Sequence, residues 1–129
     1  MVSQEGGVFM RIQMDILRDI LKVVIDDESQ NLTSFDFTGD GISYETIAFH
    51  IKILIDEGCL TALDRGTKDS PAYYCIQQTF KGQQFYDAIE DDNTWQKIKK
   101  FIWEHGMEIT TQAIAAAAGQ ILSGKVPLQ

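Results

Sequence analysis

Seven residues near one end of the chain, Gly119-Gln120-Ile121-Leu122-Ser123-Gly124-Lys125, carry the G-x-x-x-x-G-K spacing of a loop that cradles nucleotide phosphates. That chemistry needs a Ser or Thr after the lysine to hold Mg²⁺, and a strand ahead of the glycines. Here Val126 follows and an alanine-rich helix precedes, so the match is coincidental. Asp36-Phe37-Thr38-Gly39-Asp40-Gly41 opens like a calcium loop, but its twelfth position is Ile47, where a bidentate glutamate is required. His50 and His105 stand 55 positions apart without a nearby cysteine or second histidine, and a metal centre needs three or four clustered donors. Asp87, Glu90, Asp91 and Asp92 follow one another along a helix end, the pattern of a solvated face rather than of two carboxylates tuned apart. No Gly-x-Ser-x-Gly elbow and no Cys/His pairing is present. No enzymatic activity, metal, cofactor or small-molecule substrate is therefore expected.

The elements that would position any site are read from periodicity. Ile12, Ile16, Leu17, Ile20, Leu21 and Val24 recur at three- and four-residue spacing and predict a first helix. On its other face Asp15–Arg18 and Asp19–Lys22 are spaced to pair. Thr33–Phe37 reads as a short strand. A second helix runs over Ser43–Glu57, capped by Ser43 and stopped by Gly58. Cys59–Asp64 and Ala72–Gln78 flank the polar segment Arg65–Pro71, predicting a β-hairpin with a long, mobile tip. Cys59 and Cys75 sit on opposite arms, either packed within the hairpin or poised as a redox pair. Thr79 caps a third helix, Asn93 and Gln96 fit a capping box for its continuation, and Gly106 closes it. Thr110 opens a last helix whose Ile114, Ala117, Ala118 and Ile121 form a small-residue face.

Helix, short strand, helix, hairpin, helices: this order predicts an α+β, winged-helix-like domain with a C-terminal helical extension. The expected organisation is a flexible extension over 1–9, the winged-helix-like domain over 10–106, and an Ala-rich helix over 107–129 that packs or dimerises.

The chain is also similar to a known family on four stretches. They are Met10–Arg18, Phe49–Gly58, Thr79-Phe80-Lys81-Gly82, and Phe85–Ile89 with Asp92 and Trp95. In this order and spacing they resemble a family of small bacterial and bacteriophage proteins known as domain of unknown function 2513. The resemblance implies a winged-helix-like fold and a prophage association, and it carries no established activity. Members usually begin near Met10 and often read Trp-Glu-Gly-His where this chain has Phe80-Lys81-Gly82-Gln83.

Charge narrows the function further. The 129 residues contain 11 basic and 19 acidic side chains, a net charge of −8, which repels phosphate. The excess is local: residues 1–40 hold 3 basic and 8 acidic side chains, against 5 and 6 over residues 81–129. Met1–Phe9 contains Glu5 and lacks the apolar core of a signal peptide, and no apolar run approaches the ~20 residues of a membrane span, so a cytoplasmic protein is expected.

The second helix tests the DNA-binding alternative. Its outer side offers Glu45, Thr46, Phe49, Lys52, Ile53 and Asp56, where a helix entering the major groove presents Arg, Lys, Asn, Gln or Ser. Phe49 and Ile53 pack either under the C-terminal helices or against a partner. The favoured reading is a binding module for a protein partner or a second copy of itself, with Phe49, Ile53, Ile114, Ala117 and Ile121 as contact candidates. The alternative is a DNA-binding transcriptional regulator using Arg65, Lys68, Lys97 and Lys100.

Overall fold

A computed structural model describes residues 11–37 and 41–123. Residues 1–9, Thr38–Asp40 of the calcium-like loop, and Gly124 and Lys125 of the phosphate-loop spacing lie outside the described residues. The chain folds into helix α1 (Met14–Asp26), a 3-10 turn (Ser34–Phe37), α2 (Tyr44–Asp56), strands β1 (Leu60–Asp64) and β2 (Tyr73–Gln78), α3 (Phe80–Ile89), α4 (Asp92–Glu104) and α5 (Thr111–Leu122). This is a mixed α+β fold of five helices and one two-stranded antiparallel sheet.

Four helix starts are built as N-caps, each side chain accepting an otherwise orphaned amide. Ser43 accepts from Thr46, Thr79 from Gly82, and Thr110 from Ala113. The fourth differs from the predicted capping box. Asp91, not Asn93, caps α4 by accepting the Thr94 amide at 2.8 Å, a charged acceptor at the positive end of the helix. Gly58 and Gly106 end α2 and α4 with φ of +81° and +59°, the left-handed conformation that glycine adopts without strain.

α1 is the central element, packed on α2, α3 and β2, while α5 packs on α4 and α3. Leu17, Leu21, Ile51, Leu54, Ile89, Ile98 and Ile114 are wholly buried between them. The Asp15–Arg18 ion pair expected on α1 does not form, and Lys22 pairs within the helix with Asp26 at 2.9 Å. Asp15 and Arg18 reach across to the C-terminal half instead, where each finds a fixed partner. Arg18 donates to the Ile89 and Glu90 carbonyls at the end of α3 and to Asp92 at 2.7 Å, with its guanidinium 5.4 Å from the Trp95 ring centre. Asp15 accepts from the Trp95 indole at 2.7 Å and from Lys99 at 3.1 Å. The indole hydrogen bond is the main reason that the Asp15 carboxyl sits below its ordinary range.

The predicted strand at Thr33–Phe37 is instead the 3-10 turn. The Thr33 amide donates to the Asp36 carboxylate at 2.8 Å while the Thr33 carbonyl accepts from the Asp36 amide at 3.1 Å. This closed Asx-type loop removes the backbone groups a strand would pair. One strand-like bond survives just before it, from the Ile76 amide to the Leu32 carbonyl at 3.0 Å.

That bond exists because β2 carries a bulge. The register runs Thr61↔Gln77 and then Leu63↔Tyr74, so Cys75 and Ile76 together face Ala62. Cys75 takes φ of +53°, which turns the Ile76 amide outward and leaves Tyr73 and Ile76, three residues apart, both facing the core. The hairpin tip, between Asp64 and Tyr73, is crossed by its own backbone bonds. Arg65 donates to the Ala72 carbonyl, and Thr67 and Ser70 exchange two backbone bonds, leaving Lys68-Asp69 at the apex.

Candidate functional site

The residues singled out from sequence separate into three groups. Ile114 and Ala117 are wholly buried and Ile121 is 9% exposed, all within the single chain. The small-residue face of α5 is thus part of the chain's own core against α3 and α4, which corrects the expectation that these three meet a partner. Ile53 is half-buried and packed on the core, and Phe49 is half-buried with its ring edge-on to His50 at 5.2 Å. The basic candidates stay at the surface on different elements: Arg65 and Lys68 at the hairpin tip, Lys97 and Lys100 on α4, with Lys100 4.0 Å from Glu104. The third lysine of that helix, Lys99, is turned to Asp15.

The cysteines are both free thiols. Cys59 is buried, and burial raises its pKa and makes it a poor thiolate; Cys75 is exposed on the bulge.

A surface that the sequence did not disclose lies at the loop end of the hairpin ladder. The 3-10 turn holds the Phe35 ring parallel to the Tyr44 ring, 4.8 Å between centres and 3° between planes. Tyr74 of β2 lies tilted beside Phe35 at 6.3 Å, and Leu63 is the cross-strand partner of Tyr74. Phe35, Tyr74 and Leu63 remain 47, 38 and 49% exposed. Phe80 and Trp103, on α3 and α4, are more exposed still and stand outside this row.

A directional hydrogen-bond chain fixes the row from beneath. The Tyr44 hydroxyl donates to the Pro71 carbonyl at 2.6 Å, so its oxygen accepts the Ser34 hydroxyl proton at 2.7 Å. Ser34, itself wholly buried, accepts the Tyr73 amide at 3.0 Å. Every donor in this chain has an acceptor, and each bond polarises the next. The 3-10 turn, the start of α2 and the second hairpin arm are thereby held at one fixed spacing.

Residues 11–108 match the family model described as Hypothetical protein (DUF2513). The chain belongs to this family. It is also similar to an uncharacterized protein of Haemophilus influenzae, 28% identical over 117 residues, covering 88% of this chain and 97% of that one. No solved structure matches. The matched span holds α1 to α4, and two glycines within it have clear structural reasons. Gly58 provides the left-handed end of α2, and Gly82 lies so close to the Cys59 carbonyl that an added Cβ would fall 2.0 Å from its oxygen. Around that contact, Thr79 donates to the Gly58 carbonyl at 2.5 Å and Lys81 to the Glu57 carbonyl at 2.6 Å. The Thr79-Phe80-Lys81-Gly82 stretch is therefore the joint between the end of α2 and α3.

Among the described residues no helix is long and apolar enough to cross a membrane.

Proposed function

We propose that this member of the DUF2513 family is a non-enzymatic, cytoplasmic module of winged-helix-like build that binds a protein partner beside the loop end of its hairpin. The observation that carries the reading is the exposed row Phe35–Tyr74–Leu63, held rigid by the Ser34–Tyr44–Pro71 chain beneath it. Rigid aromatic side chains that are already ordered lose little entropy when covered, which is the usual make-up of a binding hot spot. Support for the winged-helix-like build comes from the element order and from the Leu32–Ile76 bond, which sets a third chain segment beside the hairpin.

The DNA-binding reading ranks lower. Lys52 on the outer side of α2 is paired with Asp56 at 2.7 Å, and Glu45 is exposed on the same helix. Arg65 and Lys68 are balanced by Asp64 and Asp69 beside them.

Placing a photo-crosslinking phenylalanine analogue at position 74 in cells, with position 96 as an exposed control, tests the proposal. A discrete protein adduct at 74 and none at 96 is expected. Binding of mixed-sequence duplex DNA with a steep log–log salt dependence, and no adduct at 74, would overturn it in favour of the regulator.

A further inference from the structure

Among the described residues, four of the five helices begin on a side chain that caps them, and α1 does not. Its N-cap residue, Gln13, makes no side-chain capping bond; its backbone amide is held from α2 instead, by Nε2 of His50 at 2.8 Å. His50 is wholly buried, and its other ring nitrogen donates to the Thr46 carbonyl at 2.7 Å. The Gln13 carbonyl is bonded into α1 itself, by the Ile16 and Leu17 amides. Among the described residues, the bond to His50 is thus the one hydrogen bond that joins residues 11–13 to any other element. Ile12 packs on the core half-buried, while Arg11 and Gln13 are exposed.

Among the described residues no charged side chain acts on the ring; burial and the Thr46 carbonyl do. On α1, Asp15 accepts from Trp95 and Lys99, Arg18 pairs with Asp92, Lys22 pairs with Asp26, and Asp19 lines a cleft beside Val23 and Ile42. Asp36 of the 3-10 turn accepts from Thr33, and Asp64 of β1 accepts the Gly66 amide. On α2 itself Lys52 pairs with Asp56, Glu57 accepts from Gln112, and Glu45 is exposed.

We infer that His50 is an acid-operated latch on the start of α1: a proton taken from solvent onto Nε2 releases Gln13, and residues 11–13 detach while the helical core stays packed. The electron pair that accepts the Gln13 amide is the pair that takes the proton, so the ring cannot do both. Two N–H groups then face each other, one of them cationic and without a carboxylate to offset its burial. Gln13 is the side that yields, because His50 is fixed in the middle of α2 and Gln13 has no second bond to another element. The latch is closed at neutral pH and opens below the ordinary histidine range. It uses no residue of the aromatic row, so it stands or falls apart from the proposed function.

The test is a pH titration of the full chain, isotope-labelled, from pH 8 down to 4.5, following the His50 ring and the backbone amides together. The Gln13 amide proton is expected to move upfield with the midpoint of the His50 ring. Its protection from hydrogen exchange, corrected for the intrinsic rate, should fall about tenfold or more over the same step. The amides of Leu17, Leu21 and Leu54 are expected to keep their protection throughout. In His50→Gln the Gln13 step should vanish. A Gln13 amide that stays put while the ring titrates, or the same Gln13 step in His50→Gln, would overturn the inference. So would core amides that lose protection together with Gln13, or a ring that stays neutral until the whole chain unfolds. The titration of the unmodified protein decides the matter by itself if His50→Gln does not fold.

Discussion

The imidazole of His50 accepts the backbone amide of Gln13 at 2.8 Å, tying the start of α1 to the middle of α2. An amide can only donate, so Nε2 is unprotonated, and the other nitrogen, Nδ1, carries the proton given to the Thr46 carbonyl at 2.7 Å. The ring is wholly buried, and burial lowers its pKa from the usual 6.5.

Below about pH 6.5 the unfolded chain binds a proton that the folded ring resists, so stability falls as the pH drops until the folded pKa is reached. Above that window the contribution is fully present. Denaturant midpoints measured between pH 7.5 and 5 should decline, and His50→Gln should flatten the slope in that range. A wild-type slope shared by His50→Gln would assign the effect to other groups.

Gly82 and Gly119 should respond oppositely to alanine. At Gly82 the new Cβ meets the Cys59 carbonyl carbon and oxygen, which are backbone atoms that cannot swing aside. Gly82→Ala is expected to lose about 3 kcal/mol or more. Gly119 lies inside α5 with nothing within 4 Å of an added Cβ, and Gly119→Ala should gain about 0.5–1 kcal/mol. Chemical denaturation of the two single variants checks both signs.

The bulge makes Cys75 a place where glycine is the better residue. A side chain at φ of +53° carries a backbone penalty on the order of 1 kcal/mol, which Cys75→Gly relieves and Cys75→Ala does not. Thermal midpoints should therefore rise for the glycine variant alone. Thiol titration of the native protein should label Cys75 and spare Cys59, with both reacting after denaturation.

The Ser34–Tyr44 pair should behave as a unit. Ser34→Ala leaves the buried Tyr73 amide without its acceptor, a loss of about 1–3 kcal/mol, and Tyr44→Phe strips the Pro71 carbonyl of its donor. A double-mutant cycle should return a coupling energy of about 0.5–3 kcal/mol. Strict additivity would mean that the chain of hydrogen bonds is not continuous.

The parts of the fold legible in the sequence are those governed by neighbours in the chain. Ser43, Thr79 and Thr110 cap helices because a hydroxyl reaches an amide three residues on, and Gly58 and Gly106 end them through their own φ. The errors arise where a distant group decides. Thr33–Phe37 has the alternation of a strand, but Asp36 folds it onto Thr33. Arg18 had Asp15 within helical reach and pairs with Asp92 instead. His50 read only as a histidine without clustered metal donors, and its partner Gln13 lies thirty-seven residues away. The candidate site was the least legible. Phe35, Tyr74 and Leu63 belong to three separate segments, and only the bulge at Cys75 and the Ser34 hydrogen bond bring them to one surface.

The same bulge bears on how the protein behaves when crowded. A two-stranded sheet offers two unpaired edges to other chains, and flat edges invite stacking into fibrils. On the β2 side the displaced Cys75 breaks the regular row of donors, and Leu32 occupies the Ile76 amide. Among the described residues, β1 runs over the five residues Leu60–Asp64 without an inserted residue of its own. Repeated strand addition needs an open edge on each side, so the local kink in β2 makes the hairpin a terminator of sheet growth.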